Sequence, residues 1–226
     1  MDAFNQKNRI YAITAPSGTG KTTLNRRITE ELSDLIELSV SVTTREKRSG
    51  EQNGDHYWFV SKDEFEQQIL TQEMLEWAAV HGNLYGTTYG ELKRIYDKNK
   101  KVLLEIDVQG WFQVRAKLSH AVSVFILPPS IQMLWSRLTA RGTDSLRTCY
   151  LRICNAKKEL EQAASYQYFI INDELDRAFE ELKSIICEKP SLYLTQEEGV
   201  AFCTTLLDEF NHSQWLREIE KQISRN

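Results

Sequence analysis

Gly20-Lys21-Thr22 closes the stretch Ala15-Pro16-Ser17-Gly18-Thr19-Gly20-Lys21-Thr22-Thr23, and it is the combination in the chain most directly suited to chemistry. Glycines let the backbone turn its N–H groups toward one point, lysine brings a point charge on a long stem, and threonine adds a hydroxyl oxygen. These are the parts of a phosphate-binding loop. Upstream, Ile10-Tyr11-Ala12-Ile13 is an apolar run of strand length, and downstream Leu24, Ile28, Leu32 and Leu35 recur at helical spacing. The loop therefore opens a helix, whose unpaired N–H groups and positive dipole end favour phosphate. Lys21 can reach β and γ phosphates, and Thr22 can offer its hydroxyl to magnesium. Ala15 stands where the pattern usually begins with glycine, and alanine still permits an ordinary turn.

Four further groups of residues carry charge or polarity where it has a use. Arg45, Lys47 and Arg48 crowd a short connector after the alternating segment Ser39 to Thr43, and arginine's planar fork suits phosphate oxygens. Glu76 sits in the apolar stretch Leu75-Glu76-Trp77-Ala78, where a carboxylate needs a partner such as an arginine or the two donors of a base edge. The run Lys101 to Asp107 is apolar until it ends in Glu105 and Asp107, two carboxylates on one face of a strand, a position suited to magnesium chemistry. Arg137 and Arg141 lie four residues apart on one helix face and Arg152 on the next helix. Two helices joined at Gly142 and bearing arginines read as a lid that can close on polyphosphate and exclude water.

The intervening segments supply the frame. Asn53-Gly54 predicts a tight turn and Asp55 to Val60 a strand returning from it as a hairpin. Ser61 and Glu64 have capping-box spacing before a helix with Phe65, Ile69 and Leu70 on one face. Gly110 leads into a helix with Trp111, Val114 and Leu118 inward, and Ala121 to Leu127 is a strand closed by Pro128-Pro129. Ile131, Leu134 and Leu138 mark a helix, a longer one runs from about Asp144 or Ser145 to about Ala164, Tyr168 to Ile171 is a last strand, and Leu175 to Ile186 a closing helix. Strands alternating with helices predict an α/β fold with a parallel sheet covered on both faces.

Composition narrows the class. A chain of 226 residues, 41% hydrophobic and 27% charged, can bury a substantial core. A formal charge of −4 gives no general attraction to nucleic acid, so a small ligand is expected and any anion site must come from local clustering. Cys149, Cys154, Cys187 and Cys203 lack zinc spacing and read as reduced buried thiols of a cytoplasmic protein. Neither a signal-peptide core nor an apolar run long enough for a bilayer is visible, so no membrane partner is expected.

Residues 9–187 resemble guanylate kinase, of the P-loop nucleoside monophosphate kinase class. The resemblance rests on motifs that occur in order: Ala-Pro-Ser-Gly-x-Gly-Lys, Ser-Val-Ser-x-Thr-Thr-Arg-x-x-Arg, Gly-Glu-x-x-Gly-x-x-Tyr, Gly-Asn-x-Tyr-Gly-Thr, Ile-Asp-x-Gln-Gly and Ile-Leu-Pro-Pro-Ser. It implies a three-layer α/β/α core, an inserted GMP-binding subdomain and a helical lid, with ATP and magnesium converting GMP to GDP in purine nucleotide metabolism and GMP recycling. Ala15 through Thr23 would bind ATP. Arg45, Arg48, Tyr57 and Tyr85 would hold the GMP phosphate, and Ser41, Glu76, Thr87 and Asp107 would read the guanine. Lys21, Arg45, Arg137, Arg141 and Arg152 would carry catalysis by charge stabilisation, and Thr22 with Glu105 or Asp107 would serve magnesium. Glu105 stands where the family commonly has aspartate, Thr87 replaces serine of some members, Lys47 and Ser49 replace frequent prolines, and Leu146 and Arg147 replace acidic residues, which makes the lid more basic. None of these changes removes an essential chemical group.

The expected division is a guanylate-kinase-like domain over 1–190, with core segments 1–38, 89–130 and 165–190, the GMP-binding subdomain 39–88 and the lid 131–164. A helical extension over 191–226 follows, with apolar stripes at Phe202, Leu206 and Phe210 and at Trp215, Leu216, Ile219 and Ile223. Its apolar face is expected to pack on the same chain, with dimer contact as the alternative, so the protein reads as monomer or homodimer. Two other functions fit the frame: a P-loop kinase for another phosphorylated small molecule, and a non-catalytic guanylate-kinase-like interaction module. Glu76 with Ser41 and Thr87 favours guanine over the first, and Gly20, Lys21, Thr22 and the lid arginines favour catalysis over the second.

Overall fold

Ile10 to Thr14 is buried along its whole length, as a strand covered on both faces of a sheet must be. The computed structural model describes residues 9–80, 82–140, 142, 144–189 and 193–225. In chain order its elements are β1 (Ile10–Thr14), α1 (Lys21–Glu31), β2 (Ile36–Leu38), β3 (Val42–Thr43), β4 (Trp58–Phe59), α2 (Lys62–Leu70), β5 (Met74–Val80), β6 (Asn83–Thr88), α3 (Tyr89–Tyr96), β7 (Lys101–Glu105), α4 (Val108–Lys117), β8 (Val122–Leu127), α5 (Ile131–Thr139), α6 (Leu146–Leu160), β9 (Tyr168–Ile171), α7 (Leu175–Ile186), α8 (Gln196–His212) and α9 (Gln214–Arg225). The described residues fall into two compact units that divide β1: one holds those up to Ala12 with those of Thr29–Val122, the other Ile13–Ile28 with those from Ser123 on. Among the described residues no helix is long and apolar enough to cross a membrane.

In the first unit β2, β7 and β1 lie in that order, and β2 pairs with β7 in parallel, Glu37 opposite Val102. Its second sheet has the order β4-β3-β6-β5. Here β5 and β6 form an antiparallel pair, Trp77 opposite Gly86, whose register shifts between Met74 and Glu76. Two side chains of α4 stitch the edge strand β5 in place. The Gln113 amide donates to the Trp77 carbonyl at 2.6 Å and accepts from the Trp77 N–H at 3.1 Å, while Lys117 donates to the Met74 and Leu75 carbonyls at 2.9 and 2.6 Å. Val42, Phe65 and Met74 bury the inner side of this sheet against α2. The capping box expected at Ser61 and Glu64 is formed.

The hairpin expected at Asn53-Gly54 is not. β4 pairs with β3 in parallel, Val42 opposite Trp58, because the connector over 44–57 is long enough to carry the chain back to the starting end of β3 before β4 begins. The apolar stripe read through Leu32 and Leu35 also stops early. α1 ends at Glu31, and the N–H groups of Leu35 and Ile36 turn back to the Leu32 carbonyl before β2 begins.

In the second unit β1, β8 and β9 lie in that order, and β8 pairs with β9 in parallel, Phe125 opposite Phe169. Phe125, Tyr166 and Phe169 make its aromatic centre, the first two rings stacked at 4.5 Å. The C-terminal helices α8 and α9 complete this unit. α8 buries Cys203 and Leu206 against α5, α6 and β9, and α9 buries Leu216. Trp215 meets Trp135 of α5 with ring centres 5.7 Å apart. Glu209 of α8 caps the start of α5, accepting the N–H of Ile131 at 2.9 Å and of Gln132 at 3.1 Å. All four cysteines are free thiols, Cys149 and Cys203 buried, Cys154 and Cys187 only partly so.

Candidate active site

Between Thr14 and Lys21 the second unit builds its phosphate loop on a tight turn. The N–H and the hydroxyl of Thr19 both donate to the Pro16 carbonyl, at 3.1 and 2.6 Å. Gly20 has φ +97°, and a Cβ there would stand 2.6 Å from the Asn172 amide nitrogen, so conformation and space both require glycine. Asn172, buried just past the end of β9, donates to the Thr19 carbonyl at 2.6 Å. Arg137 of α5 donates to that same carbonyl at 3.4 Å and to the Asn172 carbonyl at 2.9 Å. The loop is thus shaped from three distant parts of the chain. α1 has no acidic residue in its first turn to neutralise its positive end, with Lys21 half-buried there and Thr22 and Thr23 exposed. Arg152 forms an ion pair with Asp144 at 2.5 Å, across the start of α6. Arg141 lies outside the described residues.

The first unit holds a different kind of site. Its β5 irregularity turns Glu76 inward, where 5% of it is exposed, and the Thr87 hydroxyl of β6 donates to its carboxylate at 2.6 Å. Burial pushes the Glu76 carboxyl up to about 7; the Thr87 bond pulls against this, the negative charge of Asp107 adds to it, and Lys117 opposes it. Close packing forces this arrangement. A Cβ at Gly86 would meet the Glu76 carbonyl at 2.5 Å, and one at Gly110 would stand 2.7 Å from Glu76 Oε2. Asp107 is the N-cap of α4, accepting the Gly110 N–H at 2.8 Å, a structural role that spacing alone did not disclose. Glu105 ends β7, half-buried. Ser41 precedes β3, its carbonyl accepting the Trp58 N–H at 2.9 Å.

The expected phosphate side chains cluster around one ion pair. Arg45 donates to both oxygens of Glu51, at 3.0 and 2.7 Å, and to the Glu46 carbonyl at 2.8 Å. Its guanidinium lies 5.3 Å from the Tyr57 ring centre, and Tyr57 meets Tyr85 edge to face at 5.8 Å. Arg48 offers its backbone N–H to Glu51 at 2.7 Å while its side chain is exposed. Arg45 and the Arg48 N–H hold the Glu51 carboxyl down at about 2. Burial raises the Tyr57 phenol, and the neighbouring Tyr85 adds to that rise.

Each unit therefore has a recognisable capacity. The second can wrap a polyphosphate with backbone N–H groups, a lysine and an arginine. The first combines cations and phenols for a phosphate with a buried acceptor pair, Glu76 and Thr87, for a planar edge of N–H donors. Among the described residues no cluster of three or more histidine, cysteine or carboxylate side chains could cage a metal. Asn172 and Glu51 are the contributors that residue types did not single out. Asn172 carried a signal of position, the end of an apolar strand, and Glu51 lay inside a motif without an assigned role.

The guanylate kinase family model matches residues 7–189. A guanylate kinase of Dechloromonas aromatica is 47% identical over 177 residues, spanning 78% of this chain and 87% of the relative. One of Symbiobacterium thermophilum is 41% identical over 203 residues, spanning 90% and 95%. The crystal structure of guanylate kinase from Anaplasma phagocytophilum matches with a TM-score of 0.63 at 32% identity, over 82% of this chain and 88% of that one.

Proposed function

The chain belongs to the guanylate kinase family and is an enzyme transferring a phosphoryl group from ATP to GMP, and on that premise we propose how its residues divide the work. The observation that carries the assignment is the buried Glu76–Thr87 pair. As a carboxylate, Glu76 accepts the N1–H and the N2 amino donors of guanine, which adenine does not present in that arrangement, while the Thr87 hydroxyl and Ser41 add further polar contacts. A base without those donors leaves buried acceptors unpaired, and discrimination follows. Asp107 stands at the same end of the site, where its negative charge adds to the rise of the Glu76 carboxyl that the guanine donors must overcome. Arg45, Arg48, Tyr57 and Tyr85 hold the GMP phosphate, within a GMP-binding subdomain over 39–88.

Residues Ala15 through Thr23 cradle ATP, and Lys21 contacts the transferred group. A GMP phosphate oxygen, already ionised near neutral pH, forms the new bond to the γ-phosphorus as the bond to the bridging oxygen of ADP breaks, so no general base is needed. Alignment and charge stabilisation are the protein's contribution. Arg137, Arg141 and Arg152 supply positive charge from the lid segment 131–164.

Oxygen donors of the kind magnesium prefers are at hand: the hydroxyl of the exposed Thr22, the Glu105 carboxylate at the end of β7, and Asp107, which also caps α4. When bound, magnesium neutralises phosphate charge. The four free thiols support a cytoplasmic setting. ADP formation with GMP, AMP, UMP and CMP in parallel, with K21A as control, tests the assignment: turnover with GMP alone, lost in K21A, is expected, and equal turnover with AMP would overturn it.

A further inference from the structure

Glu91 is a buried carboxylate, 4% exposed, on α3, a helix that carries none of the residues assigned above. Burying a carboxylate is costly unless its oxygens are engaged. The partners of this one are distributed around the acceptor half of the site. Oε1 accepts the Val40 N–H at 2.8 Å and an Arg94 N–H at 2.7 Å. Oε2 accepts the Arg94 Nε–H at 2.9 Å and the Trp58 indole N–H at 3.4 Å. The backbone N–H of Glu91 itself donates to the Thr88 hydroxyl at 3.1 Å.

Val40, Trp58 and Thr88 each adjoin a residue assigned to GMP: Ser41, Tyr57 and Thr87. These neighbours need fixing to different degrees. Thr87 lies within the β6 ladder, but Val40 and Ser41 precede β3, and Tyr57 precedes a strand of two residues. Ladder bonds alone do little to locate those two segments. Arg94 anchors the carboxylate in turn, donating to Glu37 at 2.6 Å, which Lys98 also holds at 2.9 Å. Because Arg94 balances the charge of Glu91, the carboxylate can order the site without repelling a phosphate.

We propose that Glu91 is a positioning residue for the acceptor nucleotide, one carboxylate that sets Ser41 and Tyr57 at their working distance from Thr87. The inference rests on the assignment of those three residues to GMP. It separates the acceptor half from the donor half, since every contact Glu91 makes here lies in the first unit. A residue that merely stabilised the fold would soften both substrates' sites or neither.

Steady-state kinetics with each substrate varied, on E91Q, E91D, W58F and S41A, tests it. E91Q is expected to raise KM for GMP about tenfold and leave KM for ATP within about twofold, with E91D recovering part of the loss. W58F, which removes a single donor from a partly exposed side chain, is expected to raise KM for GMP about threefold, and it decides the matter if E91Q does not fold. An equal rise in both KM values, or a lowered melting temperature with KM for GMP unchanged, would overturn the proposal. If S41A raises KM for GMP and neither E91Q nor W58F does, the positioning role falls while the GMP site stands. Should S41A leave KM for GMP untouched, the site assignment itself falls, and this inference with it.

Discussion

Arg45 and Glu51 grip each other through two hydrogen bonds, and the Arg48 N–H closes the same carboxylate from a third side. The guanidinium is thereby aimed and kept ionised before any phosphate arrives, while the fork keeps more donors than Glu51 can use. E51Q weakens the aim without removing the cation. KM for GMP is expected to rise about tenfold with KM for ATP unchanged, measured by varying each substrate in turn. The pair survives across the working range. Glu51 is held down at about 2, so its contribution is complete above the ordinary carboxyl value of 4.5 and is lost only as pH falls toward 2.

Glu76 behaves in the opposite sense. Its carboxyl is pushed up to about 7, so its stabilising contribution is full below 4.5 and is lost as pH rises through about 7. Guanine's donors favour the carboxylate, and GMP must then lower this value. Titration of the Glu76 side-chain carbon by NMR is expected to show a midpoint near 7 in the free protein and a clearly lower one with GMP bound. E76Q is expected to melt higher than the parent at pH 8 and to lose GMP turnover by about 10²-fold or more. A midpoint near 4.5 in the free protein would sink this account.

Asn172 shapes the phosphate loop without belonging to it. N172A removes the 2.6 Å bond to the Thr19 carbonyl and leaves Arg137 to hold that carbonyl alone. A drop of about tenfold in kcat/KM for ATP is expected, against about 10²–10³-fold in kcat for K21A, which removes charge from the transferred group. Equal KM for GMP in parent and N172A would confirm that the effect stays on the donor side.

The parts of the fold that could be read from residues alone are those whose signals are local. The phosphate loop follows from glycine, lysine and threonine between an apolar run and a helical stripe, and β7, β8 and β9 from continuous apolar runs. Glu76 was visible because a charge among Leu75, Trp77 and Ala78 demands a reason. What escaped depends on distance. The parallel return of β4 is decided by where Trp58 meets Val42 across a long connector, not by Asn53-Gly54. Leu35 continued a helical stripe by coincidence of spacing, which hid β2. Asp107 could be read as a metal or base contact, and only the fold shows it capping α4. Asn172 reaches the phosphate loop from far along the chain, and Glu91 joins its helix neighbour Arg94 to the distant Val40 and Trp58.

Gly199 tests the C-terminal helices. A Cβ there would enter the space of the Phe169 ring at the aromatic centre of the second unit. G199A is expected to cost about 1–3 kcal/mol by overpacking, read as a fall of several degrees in melting temperature, with both KM values within about twofold of the parent. An unchanged melting temperature would mean that α8 does not lie on β9 in solution.

The Thr19 carbonyl and the Asn172 amide that fixes it are 153 residues apart. On a ribosome the phosphate loop emerges early, yet the groups that set its shape emerge only when most of the chain has been made. A nascent chain therefore carries the motif without the site. ATP capture becomes possible only late in synthesis, after the acceptor half, complete once Lys117 has been made, is free to fold.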